Sequence, residues 1–376
     1  MTRRADVIVI GAGLHGASAA LHLAQRGRRV IMLDKEEGGR HSSCVNAGGL
    51  RLLARHPAEI PLALEAMQIW RSIGDLVGDD CGLRWCGHLK VAENEAELKR
   101  IDARLTLMRS LGYDHEVFID RQELGSLVPD IAPHCRGAIM SRGDGYASPA
   151  RSMRAFQRAA ESAGVGVFRG QRVTSIDRTA NGWKVYCGAA ALEAPQLVNC
   201  AGAWGDQIAR LLGDDIAIVA EAPMMMVTAP LPRLLHTVLG AIGRKLSLKQ
   251  LPNGAVLIGG GYRGSLDRDT GETHVDFKVL AESARTVTTL LPCLSNAPIV
   301  RAWAGIEGMT PDGLPVLGPS PNAAGAFHAF AFCSHGFLLG PVVGRLISDL
   351  IVDGRSSLPL QEFAPQRLRA AVRGAA

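Results

Sequence analysis

Residues 7–34, VIVIGAGLHGASAALHLAQRGRRVIMLD, constrain the fold more than any other part of the chain. The unbroken apolar run at 7–10 reads as a strand buried on both faces, as in a parallel sheet covered by helices. A glycine-rich turn follows, then a helix carrying apolar Leu14, Ala17, Leu21 and Leu23, then a second apolar strand that ends at Asp34. Gly11 permits a tight exit from the first strand. Gly13 lets a ligand approach the backbone amides, and Gly16 lets the helix pack closely on the sheet. The first turn of such a helix presents unpaired N–H groups and the positive end of its dipole, a ready anion site. At the end of the second strand, the Asp34 carboxylate is placed to accept hydrogen bonds from an adenosine ribose and to disfavour a 2′-phosphate. Strand, glycine turn, helix, strand and acid in this order point to a bound dinucleotide, with nicotinamide and flavin equally compatible.

The 376 residues are enough for two lobes, and 47% hydrophobic content with 43 glycines suits a compact α/β protein with many tight turns. The net charge of +5 is dispersed as isolated Arg and Lys, with no basic block and no interleaved aromatics, so nucleic acid is not an expected partner. The eight cysteines include no CxxC pair, which argues against a disulfide framework, a zinc site or an iron–sulfur cluster, and no metal is expected. Arg3 and Arg4 precede an apolar run, but the glycine turn interrupts it and no small-residue cleavage site follows, so the segment does not read as an export signal. No apolar stretch reaches the ~18 residues of a membrane span. A cytoplasmic location is expected.

Residues 38–51, GGRHSSCVNAGGLR, are polar, glycine-rich and irregular, as a ligand-wrapping loop would be. A helix is expected over 57–77, a strand over 83–92 and a charged helix over 93–111. The spacing in 148–164 predicts an amphipathic helix, followed by strands at 165–168, 173–177, 183–186 and 197–201. Residues 216–300 read as strand-rich, with LSLKQLPNGAVLIGGGY forming two strands joined at 252–254. The chain turns glycine-rich again from 304, and 341–353 is the final helix. The fold class is α/β (α+β) and two-lobed. A discontinuous, Rossmann-like dinucleotide domain is expected from segments 1–82, 146–215 and 301–376, and a substrate domain from 83–145 and 216–300.

The opening fingerprint, NAGGLR at 46–51, CAGAW at 200–204, GIEGMTPDGLPVLGP at 305–319 and CSHGFLLGP at 333–341 occur in that order in one chain. Together they resemble the FAD-dependent D-amino-acid, glycine and sarcosine oxidase family over essentially the whole length. Within it the likeness is to flavin-bearing β subunits of the D-hydroxyproline dehydrogenase and sarcosine-oxidase-like kind. The resemblance implies non-covalent FAD and a substrate domain whose antiparallel sheet roofs the flavin ring. It implies cofactor contacts from Gly11, Gly13, Leu14, His15 and Gly16, from Asp34 and Lys35, and from Ser42, Ser43, Asn46, Ala47, Gly48, Gly49 and Leu50. Val173, Ala201, Gly202 and Trp204 are implied as well, with Gly305, His335, Gly336, Phe337 and Leu338 around the ring. The residues give separate support: small side chains open the final helix in GFLLGPVVG, so its amides can face the flavin edge that gains negative charge on reduction.

The family oxidises a carbon–nitrogen bond by moving a hydride from the substrate α-carbon to flavin, leaving an imine, so the protein's main task is to position an amino or imino acid. Arg51 matches the place where the sarcosine oxidase branch has an arginine near the substrate carboxylate, which a guanidinium can hold with two bonds. Arg55 is a second candidate. The bland alternatives for both are loop solvation or a pair with Glu59. Glu307 departs from the family: glycine-oxidase-like members carry a carboxylate-clamping arginine there. An acid at this place can receive a substrate ammonium or its proton, or form a structural pair with Arg301. His335 is expected to contact the flavin, with substrate contact or helix capping as alternatives, and Met224 to Met226 and Trp303 read as strand core. Gly305 stands where monomeric sarcosine oxidase tethers its flavin through cysteine. VLIGGGY at 256–262 is apolar where that branch has its oxygen-activating lysine, which favours a dehydrogenase; Lys249 keeps an oxidase open. The expected reaction is FAD-dependent dehydrogenation of a D-amino or cyclic imino acid, with cis-4-hydroxy-D-proline as the leading substrate. An oxidase of sarcosine or glycine is the alternative, and an FAD-binding electron-transfer subunit of a hetero-oligomer is a third reading.

Overall fold

The computed structural model describes residues 3–36, 39–188 and 190–368. Gly38 at the head of the expected loop lies outside the described residues, as do positions 1–2, 189 and 369–376 of the expected domain segments.

The Val7–Ile10 strand is fully buried, as its apolar run requires. It lies inside a six-stranded sheet in the order Gly166–Phe168, Val30–Leu33, Val7–Ile10, Gln196–Asn199, Ala326–Phe330 and Val316–Pro319. The first five run parallel and the last pairs antiparallel. Chain connections diverge to either side of Val7–Ile10, and ligands bind at such a switch point in open α/β sheets. The Leu14–Gln25 helix covers one face and packs against Pro149–Ser162 and Gly336–Val352. The other face carries a four-stranded sheet of Arg3–Arg4, Ala190–Ala194, Gly182–Cys187 and Val173–Thr179.

The final helix begins at Gly336 and not at the expected 341, and Pro341 lies inside it. Proline at a helix start is common, which made 341 an attractive boundary. Here its ring sits near the start of a 17-residue helix and deletes one backbone bond.

The second lobe is an eleven-stranded sheet. Its main path runs Glu272–His274, Arg263–Asp267, Val219–Pro230, Ala255–Gly259, Ser247–Gln250, Val238–Ala241, His88–Ala92, Gly137–Ser141 and Val117–Ile119. Ile299–Ala304 and Glu307–Met309 pair with the long Val219–Pro230 strand. The expected strand at 83–92 is broken at Gly87, whose φ of +75° turns the chain, so Arg84–Trp85 and His88–Ala92 join different sheets. Residues 216–300 also contain a helix, Phe277–Leu290, which the strand-rich reading did not anticipate.

Pleating divides this large sheet into two faces. Leu89, Val91, Leu239, Leu248 and Ile258 form one core with Leu280, Val287 and Leu290 of the helix. On the opposite face the register aligns Lys90, Gly240, Ser247 and Gly259 in one row and His88, Val238, Lys249 and Leu257 in the next. That second face looks onto the mouth of the parallel sheet. Among the described residues, no helix is long and apolar enough to cross a membrane.

Candidate active site

A cleft of about 500 Å³ runs from the glycine turn to the roof sheet. Gly11 has φ +104°, and a Cβ there would lie 2.4 Å from the Cys200 carbonyl oxygen. A Cβ on Gly16 would lie 1.8 Å from the Gly11 carbonyl oxygen, so helix and turn touch backbone to backbone. Asp34 fixes the turn: its Oδ2 accepts from Ala12 N at 2.8 Å and its Oδ1 from Glu36 N at 2.9 Å, leaving lone pairs on both oxygens. Leu14 N donates to Ser43 Oγ at 3.1 Å. Asn46 folds the following loop by donating to the carbonyls of Ser42 and Ser43 and accepting from Gly48 N.

Two polar atoms in this part of the cleft are buried with no hydrogen-bond partner, Lys35 Nζ and His15 Nε2. Lys35 lies 3.2 Å from the Trp204 ring centroid, and burial lowers its pKa to about 8. His15 stacks on Phe332 at 3.6 Å, and burial holds it neutral, with a pKa of about 3. A turn that no Cβ could enter, a carboxylate at the end of the second strand and two buried polar atoms without a hydrogen bond all fit a dinucleotide.

The cleft brings together Gly11, Gly13, Leu14, His15, Asp34, Lys35, Ser42, Ser43, Asn46, Ala47, Gly48 and Gly49. It also gathers Val173, Ala201, Gly202, Trp204, Gly305, Gly336 and Phe337, together with Arg51, Arg55 and Glu307. Four expected residues do not line it. Gly16 is turned against Gly11, and Leu50 and Leu338 are buried in the apolar core behind the cleft. His335, expected to touch flavin, instead directs Nδ1 to within 2.8 Å of Glu59 Oε2, and burial lowers its pKa to about 4.

Arg55 takes its bland alternative. It is buried with Nη1 3.3 Å from Glu59 Oε1, and it donates through Nε to the Arg51 carbonyl at 2.6 Å and through Nη2 to the His335 carbonyl at 3.3 Å. Arg51 donates through Nη1 to the Leu53 carbonyl and borders the cleft. The acids around it are already engaged: Asp144 accepts from Leu52 N, Leu53 N and Ser141 Oγ, and Glu116 accepts from Arg104 and Ala54 N.

Glu307 does not pair with Arg301, whose guanidinium lies 5.5 Å from the Trp303 ring centroid. Its Oε1 accepts from Ser334 N at 2.6 Å and its Oε2 from Ser334 Oγ at 2.7 Å, and burial raises its pKa. Lys249 donates Nζ to the Ala47 carbonyl and sits 4.0 Å from the Tyr146 ring centroid, tied to the loop and not among the residues lining the cleft. Burial lowers its pKa to about 7. Met224 and Met226 are core, whereas Met225 borders the cleft and Trp303 donates to the Val45 carbonyl at 2.9 Å.

The structure adds His88, Lys90, Ser247, Arg263 and Ser334 to the lining. His88 and Lys90 carried a readable signal, polar residues two apart on an otherwise apolar strand. Arg263 had no such local signal.

The chain matches the FAD dependent oxidoreductase family, DAO, over residues 6–350. Glycine oxidase of Geobacillus kaustophilus (strain HTA426) is 29% identical over 377 residues, covering 98% of this chain and 98% of that protein. An opine oxidase subunit of Rhizobium meliloti is 25% identical over 375 residues, covering 97% of this chain and 98% of that protein. The crystal structure of glycine oxidase from Geobacillus kaustophilus superposes with a TM-score of 0.89 at 27% identity, covering 97% of this chain and 99% of that one. L-proline dehydrogenase from P. horikoshii shares the fold, with a TM-score of 0.90 at 24% identity and 98% of each chain covered. The chain belongs to the FAD dependent oxidoreductase family, and its cofactor is FAD.

Proposed function

We propose that this protein dehydrogenates an amino or imino acid at the carbon–nitrogen bond. The observation that carries this reading is a cation and an anion bordering one cleft, Arg51 and Glu307, beside residues suited to FAD. FAD, when bound, supplies a ring that accepts a hydride. Arg51 offers its guanidinium to the substrate carboxylate, which sets orientation as well as charge. Glu307, with both oxygens bonded to Ser334, keeps lone pairs for the substrate nitrogen and takes its proton when the nitrogen must be neutral. Apolar Met225, Pro223 and Leu246 also border the cleft.

We favour an acceptor other than oxygen, because Lys249 gives its ammonium to a loop carbonyl and does not border the cleft. cis-4-Hydroxy-D-proline is the leading substrate, and glycine or sarcosine fits the same groups. A second reading, a flavin-bearing component of a larger complex, is favoured by the likeness to an opine oxidase subunit. Eight free thiols suit a cytoplasmic location.

Anaerobic mixing of the FAD-loaded protein with cis-4-hydroxy-D-proline, glycine, sarcosine and both enantiomers of common amino acids tests the reading. Loss of visible flavin absorbance with at least one of them is expected, and no loss with any amine overturns it. Rapid peroxide formation in air, in place of dye reduction, would overturn the dehydrogenase assignment.

A further inference from the structure

Along one row of the roof sheet, on the face turned to the cleft, stand Lys90, Gly240, Ser247 and Gly259. The row continues to Met225, since a Cβ on Gly259 would lie 2.1 Å from its sulfur. Gly240 accommodates the Lys90 and His88 side chains and Gly259 accommodates Met225, while Ser247, between the two glycines in the row, borders the cleft with Lys90, His88 and Met225. At about 4.8 Å per strand, Lys90 and Met225 originate on strands roughly 19 Å apart.

The cationic end is built. His88, 4% exposed, follows in the next row, and its Nδ1 is buried with no partner. A Cβ on Gly240 would lie 3.6 Å from His88 Nε2 and 3.1 Å from Lys90 Cγ, so the glycine makes room for both side chains. Lys90 forms no hydrogen bond or ion pair among the described residues, and Glu116, the acid whose charge bears on it, is held by Arg104 at 2.7 and 2.9 Å. His88, Lys90 and Arg51 all border the cleft. Burial and the Arg51 charge lower the Lys90 pKa to about 8, which still leaves an ammonium at neutral pH. One substrate carboxylate occupies Arg51 and leaves the second cation without an anion.

We propose that the cleft takes an amine with two carboxylates, the second on its side chain or N-substituent, held by Lys90 with His88 beside it while Arg51 holds the first. The proposal rests on the reading of the cleft as an amine-oxidation site and ranks dicarboxylates ahead of cis-4-hydroxy-D-proline, which has no second carboxylate for Lys90. It makes Lys90 and His88 specificity residues.

Glutarate and pentanoate share a five-carbon chain, differ by one carboxylate and carry no amine to oxidise. Titrated into the FAD-loaded protein and followed by the visible flavin difference spectrum, glutarate is expected to bind at least tenfold more tightly. Lys90→Met should abolish the preference and Lys90→Arg retain it. His88→Gln should weaken glutarate and leave pentanoate unchanged, which covers a Lys90→Met protein that fails to hold FAD. Equal affinities in the unmodified protein, or a preference that survives Lys90→Met, overturn the proposal. If amines bleach the flavin while the two acids bind alike, this proposal falls and the reaction assignment stands. If no amine bleaches it and neither acid perturbs it, both fall.

Discussion

Glu59→Gln tests the buried group behind the cleft. Glu59 is fully buried and Arg55 is 2% exposed, and they stand 3.3 Å apart with His335 against the other carboxylate oxygen. Glutamine keeps the shape and removes the charge. Stripping one partner from a buried ion pair costs about 3–5 kcal/mol because the remaining charge is uncompensated. Arg55 retains the Arg51 and His335 carbonyls as acceptors, so the lower end, about 3 kcal/mol, is expected. That is a large fraction of a typical stability of roughly 5–15 kcal/mol. Burial pushes the Glu59 carboxyl up, but the contacts with His335 and Arg55 bring it below the ordinary glutamate range. A carboxyl depressed on folding contributes stability that is complete above its unfolded pKa and lost as pH falls through the folded value. The gap between the two proteins should therefore be full at neutral pH and close in acid, where Glu59 is itself protonated. His335, neutral above about pH 4, does not carry the gap at neutral pH. Urea denaturation with saturating FAD, repeated as pH is lowered, reads both quantities. A shift below ~1 kcal/mol at neutral pH, in the range of an exposed pair, or a gap that persists in acid would refute the reasoning.

Three further outcomes follow from particular contacts. Gly16→Ala should purify without FAD, since the new Cβ would lie 1.8 Å from the Gly11 carbonyl oxygen; a normal flavin-to-protein absorbance ratio would contradict this. In the unmodified protein kcat/KM should rise with pH through the raised pKa of Glu307, and Glu307→Gln should flatten that limb and lower kcat/KM roughly 10- to 100-fold, the worth of a hydrogen bond to a charged group. Acid precipitation should leave a colourless pellet, because position 305 is glycine and the thiol in the cleft, Cys200, is pushed up to about 12 by burial; a yellow pellet would show a covalent link.

The dinucleotide unit was legible because its determinants are local. Glycine stereochemistry, an apolar strand and an acid all fall within residues 7–34, and the six-stranded sheet assembles around them. The helix Phe277–Leu290 was legible in principle: Asp276 caps it by accepting from Lys278 N and Val279 N, and acid at an N-cap is a start signal. The strand pattern on either side obscured it. What the sequence could not disclose was register. His88 and Lys90 acquire meaning only when Gly240 comes beside them from a strand far along the chain. His335 shows the same limit, since its neighbours in sequence suggest flavin while Arg55, 280 positions away, and Glu59 enclose it at the N-cap of the final helix.

Glu307 shows how an inverted charge is built into a backbone. Ala331, Cys333 and Ser334 have φ of 54°, 51° and 66°, a left-handed region that costs a non-glycine residue on the order of 1–3 kcal/mol where the surroundings do not hold it. At Ser334 they do hold it, because the Glu307 carboxylate accepts from both its N–H and its hydroxyl. These residues lead directly into Gly336, where the final helix opens onto the cleft. An arginine at 307, the glycine-oxidase-like choice, has only donors and would confront the Ser334 N–H, which is also a donor. It would release the left-handed turn and with it the placement of the helix start. The acid at 307 is thus coupled to the turn below it, and restoring a glycine-type carboxylate clamp requires changing residues 331–334 together with 307.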